Sequence, residues 1–273
     1  MITSSANPRV KEIRKLRDRK RRTETGLAWV EGLRACGDAF TRLDLIREVV
    51  YCPETLQSDF ADELLKKAEI YKLDILPVSR DAFLGLSGKD NPQGIGVVIQ
   101  QQIKTIEDVK PETGDLWVVL DRIADPGNLG TILRTLDAIG GKGLILLDQC
   151  TDPYDPTAIR ASTGALFHLD LVKTDSAGFT AWKKNSAVQL VAVVAVAGVL
   201  DYHTYAYGDP LLIMLGSERE GLQSALLDLC DAAVCIPMVG HVDSLNLAEA
   251  TAITLFEVFN QRREEKMKDG AIQ

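Results

Sequence analysis

The chain has 273 residues, 46% of them hydrophobic and 26% charged, which suits two ordinary globular domains and excludes a collagen-like, mucin-like or largely disordered polymer. Its net charge is −8, and that total taken alone argues against a polyanionic partner. The total hides a partition: residues 1–25 carry nine basic side chains against three acidic ones, a +6 segment on a −14 remainder. Such asymmetry reads either as a basic arm for a polyanion or as one solvated, highly charged helix.

Taken in chain order, Asn7-Pro8 predicts a turn, and residues 10–22 a helix with Val10, Ile13 and Leu16 on one side. Short strands are expected at 27–30, 48–52, 73–78 and 94–100, with helices at 32–41, 59–71 and 81–86 between them. This alternation describes a small α/β domain over residues 1–102. KTIEDVKPETG, poor in apolar residues and holding Pro and Gly, makes 103–114 the linker candidate. Residues 115–273 alternate more regularly. LWVVL at 116–120 is a continuous apolar run, as in a parallel strand covered on both faces. Further strands are predicted at 143–147, 167–172, 190–196, 211–215 and 234–236, and helices at 129–139, 175–184, 222–229 and 245–263. The order favours a mostly parallel α/β sheet.

Several chemistries start weak. The longest apolar run, Leu190 to Leu200, is eleven residues and too short to span a bilayer. Cys36, Cys52, Cys150, Cys230 and Cys235 are odd in number and scattered, and the first residues lack a signal-peptide layout, so a reducing, cytoplasmic setting is expected. His168, His203 and His241 have no ligand spacing, and no metal is expected. Gly141-Lys142-Gly143 is not a phosphate-binding loop, and no GxGxxG occurs.

Polar residues gather instead in three loops after predicted strands, where α/β proteins place their ligands. These are DPGNLGTILR at 125–134, LGSEREGL at 215–222 and IPMVGHVDSLN at 236–246. Singly, each has a plain reading: Asn128 as a helix cap with Arg134 a surface cation, Glu218 and Glu220 as solvated turn residues, and Asp243, Ser244 and Asn246 as caps. Together, N-x-G-x-x-x-R, G-S-E-x-x-G-L and I-P-M-x-G-x-x-x-S-L-N resemble, in order, the three motifs of the SpoU/TrmH family of RNA 2′-O-ribose methyltransferases, in the SPOUT superfamily. The likeness runs over residues 115–263. ITSSANPRVKEIRKL, WVEG and PQGIGVV in the first hundred residues resemble the family's accessory substrate-binding domain, which is L30e-like.

The resemblance implies an α/β SPOUT domain with a deep trefoil knot, S-adenosylmethionine as methyl donor, a homodimer through the C-terminal domain, and no metal. It places Val193, Gly216, Ile236 and Leu245 at the cofactor, although Val193, Ile236 and Leu245 also suit a core. Arg134 matches the family's arginine at the ribose. A guanidinium stays protonated, so a grip on a phosphate and the nascent alkoxide suits it better than a base's role. Asn128, Glu218, Ser244 and Asn246 would orient Arg134 and the ribose, with Glu218 pairing Arg134. Ribosomal RNA is the first substrate choice and tRNA the second; a non-catalytic RNA-binding or ribosome-assembly protein is the alternative. The basic arm, with Arg122, Arg134 and Arg160, would meet the RNA.

Overall fold

The computed structural model describes residues 1–87, 91–196 and 198–268, so that residue 197 of the long apolar run and the last five residues of the 115–273 segment lie outside the described residues. The chain forms two compact units, one of Met1–Gln102 with Asp152–Phe167, the other of Ile103–Thr151 with His168–Gln273.

The first unit holds helices α1 (Pro8–Lys15), α2 (Arg19–Thr25), α3 (Leu33–Ala39), α4 (Asp59–Ile70) and α5 (Arg80–Leu86). Its strands are β1 (Leu27–Glu31), β2 (Ile46–Tyr51), β3 (Ile75–Pro77) and β4 (Ile95–Gln100), in the order β1-β4-β2-β3. The single helix expected over 10–22 is two. Pro8 opens α1, with the Asn7 side chain accepting from Arg9 N–H; Asp18 then caps a new helix by accepting from Lys20 N–H at 2.9 Å. Val10, Ile13 and Leu16 are buried, so this segment is part of a core rather than a free arm.

The break turns Arg22 inward. It is 1% exposed, and its guanidinium donates to Asp152 Oδ2 at 2.8 Å and to the Leu16 and Arg17 carbonyls at 3.0 and 2.8 Å. A buried charge persists only with such partners. The partner segment, 152–167, carries no helical pattern in the sequence. It nevertheless forms a helix at Pro156–Ser162, which is α7 in chain order, capped by Asp155 and closed by left-handed Thr163 and Gly164. Tyr154 ties it to the end of β4: its hydroxyl accepts from Gln102 N–H at 2.8 Å, and burial pushes its pKa up to about 12.

The second unit is a seven-stranded sheet in the order β7-β6-β5-β10-β8-β11-β9. Its strands are β5 (Leu116–Asp121), β6 (Gly143–Leu147), β7 (Asp170–Thr174), β8 (Gln189–Val193), β9 (Leu200–Asp201), β10 (Leu211–Leu215) and β11 (Ala232–Cys235). Every pairing is parallel. Its helices are α6 (Pro126–Ala138), α8 (Ser176–Lys184), α9 (Ser224–Leu227) and α10 (Leu247–Lys268). β5, β6 and β10 are buried along their whole length, as continuous apolar strands of a doubly covered sheet must be. The strand expected at 167–172 begins three residues later, because residues 165–167 turn as a 3-10 helix. Segment 103–114 packs on this unit: Ile106 and Val109 enter its core, and Trp182 Nε1 donates to the Val109 carbonyl at 3.2 Å. No described helix is long and apolar enough to cross a membrane.

Candidate active site

Strand register decides where the site lies. Leu215 of β10 pairs with Leu120 of β5 on one side and Val193 of β8 on the other, so three neighbouring strands end level. The loops that follow them open on one edge of the sheet, beside the point where chain order reverses, the usual ligand crevice of such sheets. A cavity of about 650 Å³ sits there. Its walls are the ends of β8 and β10, the loop 216–222, and Ile236, Met238 and residues 244–247 after β11.

Seven of the nine expected site residues line this cavity: Val193, Gly216, Glu218, Ile236, Ser244, Leu245 and Asn246. Asn128 joins them through hydrogen bonds. Its Nδ2 donates to Glu218 Oε1 at 3.0 Å, and its Oδ1 accepts from Asn246 Nδ2 at 3.1 Å. Asn246 Oδ1 in turn accepts from Ala248 N–H at 2.8 Å and caps α10. All three loops therefore meet in one polar chain, Glu218–Asn128–Asn246. Asn128 is not the cap of α6, however. Asp125 is, accepting from Asn128 N–H at 2.7 Å, and this frees the Asn128 carboxamide for the chain.

Arg134 lies apart. It is exposed and has no hydrogen bond or ion pair to any described residue, and Glu218 is bonded to Asn128 rather than to it. Helix geometry explains the separation: six residues place Arg134 about 120° round α6 from Asn128 and about 9 Å along it. The expected Glu218–Arg134 pair is thus absent within one chain. Gly216 is needed for a different close approach from the one expected. A Cβ there would come within 2.1 Å of the Gly221 carbonyl carbon, because the loop folds back on itself, with Gly221 at φ +67° donating to the Ser217 carbonyl at 2.9 Å.

A second network, anchored on β5 outside the three motifs, holds this loop. Asp121, the last residue of β5, is 0% exposed. It accepts from Arg122 Nε at 3.1 Å and from Gln223 Nε2 at 3.1 Å, while Arg122 Nη1 reaches Glu220 Oε2 at 2.6 Å. Arg122 adopts a left-handed φ of +54°, rare for a residue with a side chain. The Asp121 hydrogen bond, with that of Glu220 adding, raises its pKa further above an already high value. Arg122 is therefore a clamp from β5 to the 216–222 loop, and Glu220 is paired rather than merely solvated. The signal available in the sequence was a carboxylate directly after the apolar run of β5.

Residues 115–256 match the family model of the SpoU rRNA methylases, and residues 7–96 that of the MRM3-like substrate-binding domain. The crystal structure of an AdoMet-bound rRNA methyltransferase from Sinorhizobium meliloti is 36% identical, with a TM-score of 0.86 over 95% of this chain and 97% of that one. The 23S rRNA (uridine(2479)-2′-O)-methyltransferase of Streptomyces viridochromogenes is 32% identical over 90% of this chain and 87% of its own length. The Bacillus subtilis 23S rRNA (guanosine(2553)-2′-O)-methyltransferase RlmP is 28% identical over 94% and 98%. A parallel sheet whose three strand-end loops converge on one cavity, in a chain with these likenesses over nearly its whole length, belongs to the SpoU rRNA methylase family.

Proposed function

We propose that this chain transfers a methyl group from S-adenosylmethionine to a ribose 2′-hydroxyl of ribosomal RNA. The observation that carries the reading is the cavity of about 650 Å³ with the Glu218–Asn128–Asn246 chain at its wall. The donor set fits the cofactor. Val193, Leu215, Ile236 and Leu245 offer an apolar slot for a purine, and the backbone of 216–222 offers polar groups to its edge. Bound there, the cofactor supplies an activated methyl group and a neutral sulfide as leaving group. The protein's own work is alignment and charge. Asn128 is fixed from both sides, by Glu218 and Asn246, so the polar wall has one arrangement. Ser244, exposed at the cavity, offers a hydroxyl to the ribose. Arg134, always cationic, grips a phosphate and steadies the alkoxide as the ribose hydroxyl gives up its proton to solvent water.

The same proposal includes a homodimer through the second unit, since Arg134 reaches none of the other site residues within its own chain. Ile253 and Phe256 on α10, which packs on α6, are 36% and 46% exposed and supply apolar surface for a second copy. It also includes threading of the final segment as a trefoil knot, an L30e-like first unit and a cytoplasmic setting. Methyl transfer from tritiated S-adenosylmethionine tests the reading, with unmodified 23S rRNA transcript and tRNA transcript as parallel substrates. Label in the 23S arm is expected; label in tRNA alone moves the substrate to the second choice, and label in neither refutes the enzyme.

A further inference from the structure

A second cavity, of about 170 Å³, is lined by residues of the first unit alone. One wall comes from the end of β1 and the start of α3, and includes Arg34. The opposite wall comes from α7 and the left-handed turn after it, and includes Arg160 and Thr163. These arginines are 126 positions apart in sequence, and both are exposed. Among described residues the Arg160 guanidinium donates to the Thr157 hydroxyl, at 3.3 Å, and has no ion pair, nor has Arg34. Gln93 Oε1 is occupied by Leu33 N–H at 2.9 Å, which turns the carboxamide NH2 to other partners. Of the two carboxylates at the cavity, Glu31 is engaged by the Ser87 hydroxyl at 2.5 Å. Phe167 adds an aromatic edge.

The second wall is held from several sides. α7 is fixed to the unit by the buried Arg22–Asp152 pair and by Tyr154 on the end of β4. Its terminal turn lies so close to α3 that a Cβ on Gly164 would come within 2.7 Å of Asp38 Cγ. The two guanidiniums are therefore presented from a fixed frame. Planar cations around a small cleft with amide donors and an aromatic edge suit one nucleotide of single-stranded RNA: a phosphodiester between the arginines, the base stacked or hydrogen-bonded within.

We propose that Arg34 and Arg160 form a nucleotide-binding site for the substrate RNA, completed by a segment outside residues 7–96. The assignment rests on the RNA methyltransferase reading and extends it to the chain's own anchoring residues. The test is equilibrium binding of unmodified 23S rRNA transcript to the full protein over a salt series, for wild type, Arg34→Ala/Arg160→Ala and Arg34→Lys/Arg160→Lys. The alanine pair is expected to weaken binding roughly tenfold and to flatten the slope of log affinity against log salt by about 0.7, the value for the one single-strand phosphate no longer neutralised. KM for the transcript should rise in step while affinity for S-adenosylmethionine holds. The lysine pair keeps the charge and should restore most of the slope.

Wild-type binding and slope in the alanine pair would overturn the proposal. So would an equal loss in Lys66→Ala/Lys184→Ala, exposed cations that do not line the cavity, since that marks a general charge effect. Saturable binding of uridine 5′-monophosphate at the cavity, with transcript binding indifferent to both arginines, would also overturn it in favour of a small-molecule site. A wild-type protein that transfers no methyl group fails the underlying reading instead, and the binding series reports separately.

Discussion

Replacing Arg122 tests how the wall of the larger cavity is held. Asp121 is fully buried, and Arg122 supplies its cationic partner; Gln223 supplies the amide ones, at 3.1 Å from Nε2 and 3.4 Å from the backbone. Deleting the guanidinium leaves a carboxylate buried without its counter-charge, a loss of about 3–5 kcal/mol. The arm to Glu220, which is 70% exposed, adds at most ~1 kcal/mol. Arg122→Gly also relieves the left-handed strain, which returns about 1 kcal/mol. The net expectation is a loss of about 2–5 kcal/mol in urea unfolding, measurable as a shift in midpoint at constant slope. Asp121→Asn/Arg122→Gly removes charge and partner together and should recover more than half of that loss. Affinity for S-adenosylmethionine behaves differently. Both variants free the 216–222 loop from β5, so calorimetry should show binding weakened about tenfold in each, roughly 1.4 kcal/mol. Stability that recovers without affinity separates a positioning role from a merely structural one. Arg122→Gly with wild-type midpoint and wild-type affinity would refute the reasoning.

Three further outcomes follow from the geometry. Arg134→Ala should abolish methyl transfer, by at least about 100-fold, while calorimetric binding of S-adenosylmethionine stays within about twofold, because Arg134 does not line the cavity; retained turnover would remove it from the site. Arg22→Ala strands Asp152, 5% exposed, and should cost about 3–5 kcal/mol in unfolding of the first unit, with much of it returned in Arg22→Met/Asp152→Leu. His203 Nδ1 lies 3.0 Å from Glu257 Oε2, and this hydrogen bond raises the imidazole pKa. A raised folded pKa means that the charge-assisted bond is at full strength below the ordinary value, about 6.5, and disappears as pH rises through the raised one. Amide exchange over 201–207 should accelerate across that window, and His203→Gln should abolish the pH step.

The parts legible in sequence were those in which one segment carries its own signal. β5, β6 and β10 are unbroken apolar runs, and such runs in a repeating strand–helix order leave few architectures. The three loops declared themselves by motif, and their convergence followed. Features set by partners elsewhere in the chain were not legible. α7 buries only Ala158, Ile159 and Ser162, too few for a periodic pattern, and it exists because Arg22, 130 positions earlier than Asp152, holds its capping segment. The break between α1 and α2 is invisible because both sides of Asp18 are strong helix formers; only the capping geometry shows it. The Glu218–Arg134 pairing was plausible from charge alone and fails on rotation about α6. The insertion of β10 between β5 and β8 is likewise a fact of topology that periodicity does not encode.

Net charge by segment does not say which of its cations are free to meet a polyanion. Of the nine cations in residues 1–25, Arg22 is buried on Asp152, Arg9 faces Glu48 and Asp74, and Lys15 and Arg21 share Glu12. These four of the nine are answered within the unit, so their own share of the field at a distance is reduced, and the buried Arg22 cannot release a counter-ion at all. Arg34, Arg134 and Arg160 are few but exposed and free of described carboxylate partners. The salt slope of RNA binding should therefore count these arginines rather than the +6 segment. Truncating residues 1–22 cannot make the comparison, because it removes Val10, Ile13 and Leu16 from the core together with the cation that holds α7. Point substitutions can: Lys11→Ala/Arg17→Ala, at exposed positions of that segment, should change the slope less than Arg34→Ala/Arg160→Ala. A larger change from the first pair would return the task of RNA docking to the basic segment.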